Sequence, residues 1–214
     1  MMNTLISSQT SKTPETKHGN EWRTDFEHVA ALFTHLRMTW LLKHLPPRFV
    51  WSAYVGVNGF ATIGLLGLLA LVTGSPFVFP SLGPTAYLFF FSPLAEASSP
   101  RNAILGHAIG LICGYAAFMV TSGFGPTFAA HGEVHLPRVL AAALALSATG
   151  ALMALFRVSH PPAGATTLIV ALGIISQPRE LVVIEIAVIL LAAQALAINR
   201  VAGIRYPLWR KVST

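Results

Sequence analysis

The sequence predicts an all-α polytopic membrane protein with four full transmembrane helices and two half-helical segments broken by proline and glycine. Three observations predict it. Hydrophobic residues make up 54% of the 214 and charged residues only 10%, where a soluble domain carries about 25% charged. The charges stand at the two ends and in short connectors, so lipid is the solvent for most of the chain. The apolar residues fall into six stretches, roughly 51–73, 77–92, 102–121, 138–156, 158–176 and 181–199. The net charge of +6 does not point to nucleic acid, because the basic residues flank apolar spans as membrane topology requires.

Taken in order, residues 1–20 form a Ser/Thr/Lys-rich stretch expected to be a disordered cytoplasmic tail. No apolar core of a cleavable leader precedes residue 45. Over 21–45, Trp22, Phe26, Val29, Phe33, Leu36 and Trp40 recur at three- and four-residue steps. That is one face of an amphipathic helix, either lying in the interface or packing on another subunit. Pro46 and Pro47 end it. The membrane domain then occupies 46–210.

Four of the six stretches contain no internal proline and reach the length of about 20 residues that spans a bilayer. The second, FVFPSLGPTAYLFFFS, carries Pro80 and Pro84 in its first half, and the fifth, VSHPPAGATTLIVALGIIS, carries Pro161 and Pro162 in the same place. Their front halves are expected to be extended, leaving about 8–12 helical residues each, because proline removes a donor and clashes with the turn before it. Non-helical backbone survives at membrane depth only inside protein or beside a wet cavity, so these two segments mark the working part.

The broken segments match each other as P-x-x-G-x-T, Pro80 to Thr85 and Pro161 to Thr166, at an offset of 81. Pro100-Arg101 and Pro178-Arg179 match at an offset of 78. The chain therefore reads as an internal repeat, about 50–121 and 138–199, with the halves inverted if each crosses three times. Lys/Arg counting places both termini in the cytoplasm. It leaves open whether the broken segments cross, giving six crossings, or dip and return, giving four.

Ser159-His160-Pro161-Pro162-Ala163-Gly164-Ala165-Thr166-Thr167 resembles the signature of the HPP family of integral membrane proteins. Phe79 to Ala86, Pro100-Arg101-Asn102 with Gly106-His107, and Tyr206-Pro207 with Trp209 are similar to the family's other stretches. The resemblance covers about residues 45–210 and implies four transmembrane helices and, from some members, nitrite transport. Many bacterial relatives add a pair of CBS domains, which are not expected here.

Gly83 and Gly164 are expected where extended chain turns into half-helix, through positive φ and close backbone approach. Thr85 and Thr166 would lie in the first turns, where unpaired N–H groups and the helix dipole attract an anion. The alternative is that these residues only let helices pack closely. The expected substrate-binding set is Ser81, Gly83, Thr85, His160, Gly164, Thr166 and Thr167. His160 either contacts the anion, carries a proton, or hydrogen-bonds a carbonyl left free by proline. Glu185, paired with His107 by the 78-residue offset, is expected either to form a proton relay with it or to reach interfacial water. Arg101 and Arg179 form an anion-attracting mouth or anchor the boundary.

His131-Gly-Glu133-Val-His135 is not the helical HExxH pattern, and the lone Cys113 gives neither disulfide nor metal set. No metal, cofactor or nucleic-acid partner is expected. The expected function is transport of a small inorganic anion, nitrite foremost, through a midplane site between the broken helices of a bacterial inner-membrane protein. A homodimer or higher homo-oligomer is expected, to cover the broken backbone. A membrane sensor or scaffold, or an intramembrane enzyme using His160 and Glu185, are the alternatives.

Overall fold

The computed structural model describes residues 37–124 and 135–209. The expected tail over 1–20, the helix residues 21–36, and His131 and Glu133 lie outside the described residues. Among the described residues seven α-helices follow one another and no strand occurs: α1 (Met38–His44), α2 (Pro47–Thr73), α3 (Leu82–Phe91), α4 (Pro100–Thr121), α5 (Leu136–Leu155), α6 (Pro162–Ala171) and α7 (Pro178–Val201). Helices α2, α4, α5 and α7 are 27, 22, 20 and 24 residues long and apolar enough to cross a membrane. The two broken stretches become the 10-residue helices α3 and α6, each preceded by non-helical chain at 76–79 and 158–160. Ten helical residues rise about 15 Å, half of a hydrocarbon core.

Proline starts these helices as much as it breaks them. Proline occupies the first or second position of α2, α4, α5, α6 and α7, where its missing N–H is no loss. Pro84 is the third residue of α3 and escapes penalty for the same reason. At the other end of α2, Gly74 adopts the left-handed conformation at φ 62° and stops the helix.

Contacts between helix ends fix the path of the chain. Met38 N–H donates to Ala202 O at 2.9 Å, which brings the end of α7 to the start of α2. The other ends of these two helices also meet, in a cleft of about 290 Å³ lined by Gly74, Ser75, Pro76, Gln177, Arg179 and Val183, among others. Arg101, at the start of α4, donates its N–H to Trp209 O at 2.9 Å and its guanidinium to the carbonyls of Phe156 and Arg157 at the end of α5. Arg138, at the start of α5, donates to Thr121 O at the end of α4. The starts of α2 and α4 and the ends of α5 and α7 therefore share one face of the bundle, called here the first face. The chain between α2 and α4 must return through α3, and the chain between α5 and α7 must cross through α6. The bundle has six passes, and the described chain begins and ends at the first face.

Helix α1 packs inward. Met38 is buried with Val50 and Ala202, and Leu41, Leu42 and Trp51 close around them. This part of the expected amphipathic helix thus docks on its own chain. Around the bundle the usual polarity is reversed: Phe60 and Leu71 are each 83% exposed, as suits a lipid solvent. The apolar core joins α2, α3, α4, α6 and α7 through Leu66, Leu82, Phe89, Leu111, Val170 and Leu191.

A glycine stripe sets the depth of the central contact. Gly106, Gly110 and Gly114 lie on one face of α4, and α6 with its lead-in chain presses against them. A Cβ at Gly106 would stand 2.8 Å from His160 Cβ. One at Gly110 would stand 2.8 Å from both Ala163 O and Thr167 Oγ1, and one at Gly114 2.8 Å from Thr167 O. Small residues at four-residue spacing let backbones approach in this way.

The tail beyond α7 folds back over the first face. Arg200 Nε donates to Tyr206 O at 2.7 Å, and the Tyr206 hydroxyl donates to Ser98 O. Tyr206 itself is fully buried.

Candidate functional site

Where α3, α4, α6 and the chain before α6 meet, five polar side chains form a buried knot. Ser81 precedes α3, Thr85 lies in its first turn, His107 comes from α4, His160 from the non-helical chain, and Thr166 from α6. Each is at most 1% exposed. Ser81 Oγ and Thr166 Oγ1 are 2.6 Å apart, and Thr166 Oγ1 is 2.7 Å from His107 Nδ1. His107 Nε2 lies 3.0 Å from Thr85 Oγ1, which also stands 3.2 Å from His160 Nε2 and donates to Ser81 O at 2.9 Å. His160 Nδ1 donates to Ala97 O at 2.7 Å. His107 thus bridges Thr85 and Thr166, the two threonines at matching places in the broken segments. Buried polar groups persist where they are paired, and here every member has a partner.

Of the expected site residues, Ser81, Thr85, His107, His160 and Thr166 are gathered in this knot. Thr167 sits beside it, 3.0 Å from Thr149 Oγ1 and donating to Ala163 O. The knot lies about 10 Å along α4 from the first face, about 5 Å short of the helix midpoint.

Several expectations are corrected. Gly83 and Gly164 do not adopt positive φ; both lie inside the first turn of their helices. A Cβ on Gly83 would meet nothing within 4 Å, and one on Gly164 only Leu146 at 3.4 Å. Close approach belongs instead to Gly106, Gly110 and Gly114, which sequence reasoning missed although a G-x-x-x-G-x-x-x-G run in an apolar helix signals it.

Nor does α6 offer free amides to an anion. Pro161 and Pro162 have none, Ala163 N–H donates to His160 O, and Gly164 N–H donates to Pro161 O. At α3, Pro84 has none, while Leu82 and Thr85 donate to Phe79 O and Ser81 O. At α6 the prolines and the bonds of Ala163 and Gly164 leave no first-turn donor, while at α3 the Gly83 N–H is not among the bonded amides. Side chains supply the hydrogen bonds that join the two broken segments here.

Glu185 and His107 do not pair. Each lies seven residues from the start of its helix, but α7 starts at the opposite face, so their depths differ. Both carboxylate oxygens of Glu185 are buried without a partner. Arg101 is not free at a mouth: its guanidinium caps the end of α5, where cations complement the last carbonyls. Arg179 does line an open cleft, with Glu180 beside it. Arg138, not among the expected site residues, is fully buried with its guanidinium over the Phe118 ring and two nitrogens without partners.

Residues 44–207 match the family described as HPP, transmembrane region. The chain belongs to this family. The HPP region takes in α2 to α7 and every residue of the knot. No curated protein and no solved structure matches the chain.

Proposed function

We propose that this HPP protein transports a small inorganic anion through the polar knot, nitrite being the substrate its family resemblance favours, and that it performs no chemistry on it. The observation that carries this reading is the knot's composition. Three hydroxyls and two imidazoles, all able to donate and none a carboxylate, stand together in the interior of a lipid-facing bundle. Polar groups inside a membrane are costly and mark substrate or ion paths. Nitrite, with two acceptor oxygens, would exchange with the internal bonds of Thr85, Thr166 and His160. In liposomes the purified protein is expected to give nitrite flux above protein-free vesicles, with nitrite recovered unchanged. Recovery of a nitrogen product, or no flux for any of a panel of small anions, would remove the proposal.

We place the first face in the cytoplasm of a bacterial inner membrane. Among the described residues, Arg37, Lys43, Arg48, Arg101, Arg157, Arg200 and Arg205 gather there by the path of the chain, with Arg138 and Arg179 opposite, and Lys/Arg asymmetry sets orientation. In a Cys113→Ala background, an impermeant maleimide on intact cells is expected to label Gln177→Cys and spare Glu96→Cys. Equal labelling of both would defeat this orientation.

The six passes, with α3 and α6 running in opposite directions, support an inverted repeat. The non-helical chain of the first half is covered on one side only, since Val78 and Pro80 are exposed in a single copy, and irregular backbone needs protein around it at this depth. A homodimer or higher homo-oligomer would supply that cover. Flux carried by a preparation that native mass spectrometry in mild detergent shows to be monomeric would remove this part.

A further inference from the structure

Thr85 has more hydrogen-bond partners than it has protons to give. A hydroxyl has one proton to give and two lone pairs to receive. Thr85 Oγ1 has three partners: Ser81 O at 2.9 Å, His107 Nε2 at 3.0 Å and His160 Nε2 at 3.2 Å. A carbonyl only accepts, so when Thr85 gives its proton to Ser81 O, both ring nitrogens must donate. His160 Nδ1 faces the carbonyl of Ala97 at 2.7 Å and therefore carries a proton in either charge state. A His160 that donates from both nitrogens is an imidazolium.

With His160 neutral, its Nε2 is a bare lone pair, and the Thr85 proton turns to it. Ser81 O then keeps only the Thr85 N–H at 3.4 Å. The rest of the knot is the same in both states. His107 Nε2–H donates to Thr85, the Thr166 hydroxyl donates to His107 Nδ1, and the Ser81 hydroxyl donates to Thr166. The geometry thus accommodates both charge states of one histidine by rotating a single hydroxyl.

We propose that His160 gains and loses one proton in each transport cycle, the Thr85 hydroxyl turning between His160 Nε2 and the Ser81 carbonyl, so that proton and anion cross together. This rests on the transport reading. The step balances: water-borne H⁺ adds to the Nε2 lone pair when the site is open and leaves to water on the other side, and its charge offsets that of a monovalent anion.

The groups facing His160 leave this role to it. His107 on α4 is the nearest titratable ring, centroids 5.0 Å apart, with both nitrogens engaged by threonines. From α3, Phe89 lies 6.4 Å away, and beyond it Tyr206 of the tail, whose hydroxyl is held by Ser98 O. Arg101 is committed to the end of α5, Glu96 before α4 is exposed, and α6 brings only Thr166. No carboxylate or guanidinium among the described residues hydrogen-bonds either imidazole.

The test has two arms. In the intact protein in lipid nanodiscs with ¹⁵N-labelled histidine, the His160 resonances are assigned by their loss in His160→Gln. Lowering the pH from about 8 to about 5, the range in which histidine titrates, is expected to convert both His160 nitrogens to the imidazolium pattern while His107 keeps its neutral pattern. A His160 that stays neutral throughout, with the protein folded, overturns the proposal whatever the substrate.

In liposomes with nitrite as probe, and the passive leak of nitrous acid subtracted from protein-free vesicles, an inward gradient of one pH unit should raise nitrite accumulation about tenfold for one proton per anion. Thr85→Ser should keep this gradient dependence, and Thr85→Val and His160→Gln should lose it. Wild-type nitrite flux that ignores the gradient overturns proton coupling and leaves transport standing. Absence of any wild-type flux defeats the transport reading and with it the coupling, leaving the spectra to decide whether His160 binds a proton at all.

Discussion

Gly110→Val is expected to abolish the folded protein, while Gly83→Ala, in a more obvious motif, is expected to be tolerated. A Cβ at Gly110 stands 2.8 Å from the backbone oxygen of Ala163 and from Thr167 Oγ1. Neither can step aside, since the first belongs to α6 and the second is bonded to Thr149 and to that same carbonyl. Separating α4 from α6 would break the contact that holds His107 beside Thr166. Overpacking commonly costs about 1–3 kcal/mol and more where backbone must move, and valine adds two methyls beyond the Cβ. At Gly83 nothing lies within 4 Å, and alanine favours a helix by about 0.5 kcal/mol or more over glycine. Thermal unfolding in detergent decides: the Gly110 variant should be lost to aggregation or melt far below wild type, and Gly83→Ala should melt at or above it. Equal melting temperatures would show that α4 and α6 are not in the tight contact described.

Thr166→Val is expected to leave the fold inserted and nearly stop transport. Valine matches threonine in shape, so packing against α4 is kept. What goes is the hydroxyl between Ser81 Oγ and His107 Nδ1, at 2.6 and 2.7 Å. Each orphaned buried group costs about 1–3 kcal/mol, and about 1.4 kcal/mol placed on the rate-limiting barrier is tenfold in rate. Flux should therefore fall about tenfold or more. Thr73→Val removes an exposed hydroxyl that donates to Leu69 O and accepts from the Ser75 N–H at the end of its own helix, and should leave flux unchanged. Equal flux from Thr166→Val and wild type would move the site away from the knot.

The number and kind of helices were legible because hydropathy and proline act locally. Twenty apolar residues without proline form a span wherever they are placed, and Pro80 and Pro161-Pro162 stop a helix by their own covalent structure. The match of Thr85 with Thr166 was also legible, and the two do share a partner. That this partner is His107 was not, because the 78-residue offset joins it to Glu185, and antiparallel helices carry those two to different depths. Arg101 illustrates the same limit. Its place after a helix-starting proline reads as a boundary charge, but only the fold brings the end of α5 within reach. The glycine stripe of α4 is visible as a G-x-x-x-G-x-x-x-G run, but only the fold shows that α6 is what it receives. The start of α6 departs from an ordinary helix end for a chemical reason: an N-terminus built from prolines has the dipole of a helix end with few of its donors.

The clasp between Tyr206 and Ser98 has a consequence for biosynthesis. Ser98 adjoins Ala97, whose carbonyl orients His160, and the tyrosine that holds it follows the last membrane helix. A ribosome delivers α2 through α7 to the membrane first and this tyrosine only afterwards. A nascent chain halted at Val201 would already hold all six passes, yet the anchor of its histidine would still lack the clasp. Maturation of the site is thus coupled to the final stretch of translation, and release of a shortened chain would yield an inserted protein with a loosened His160.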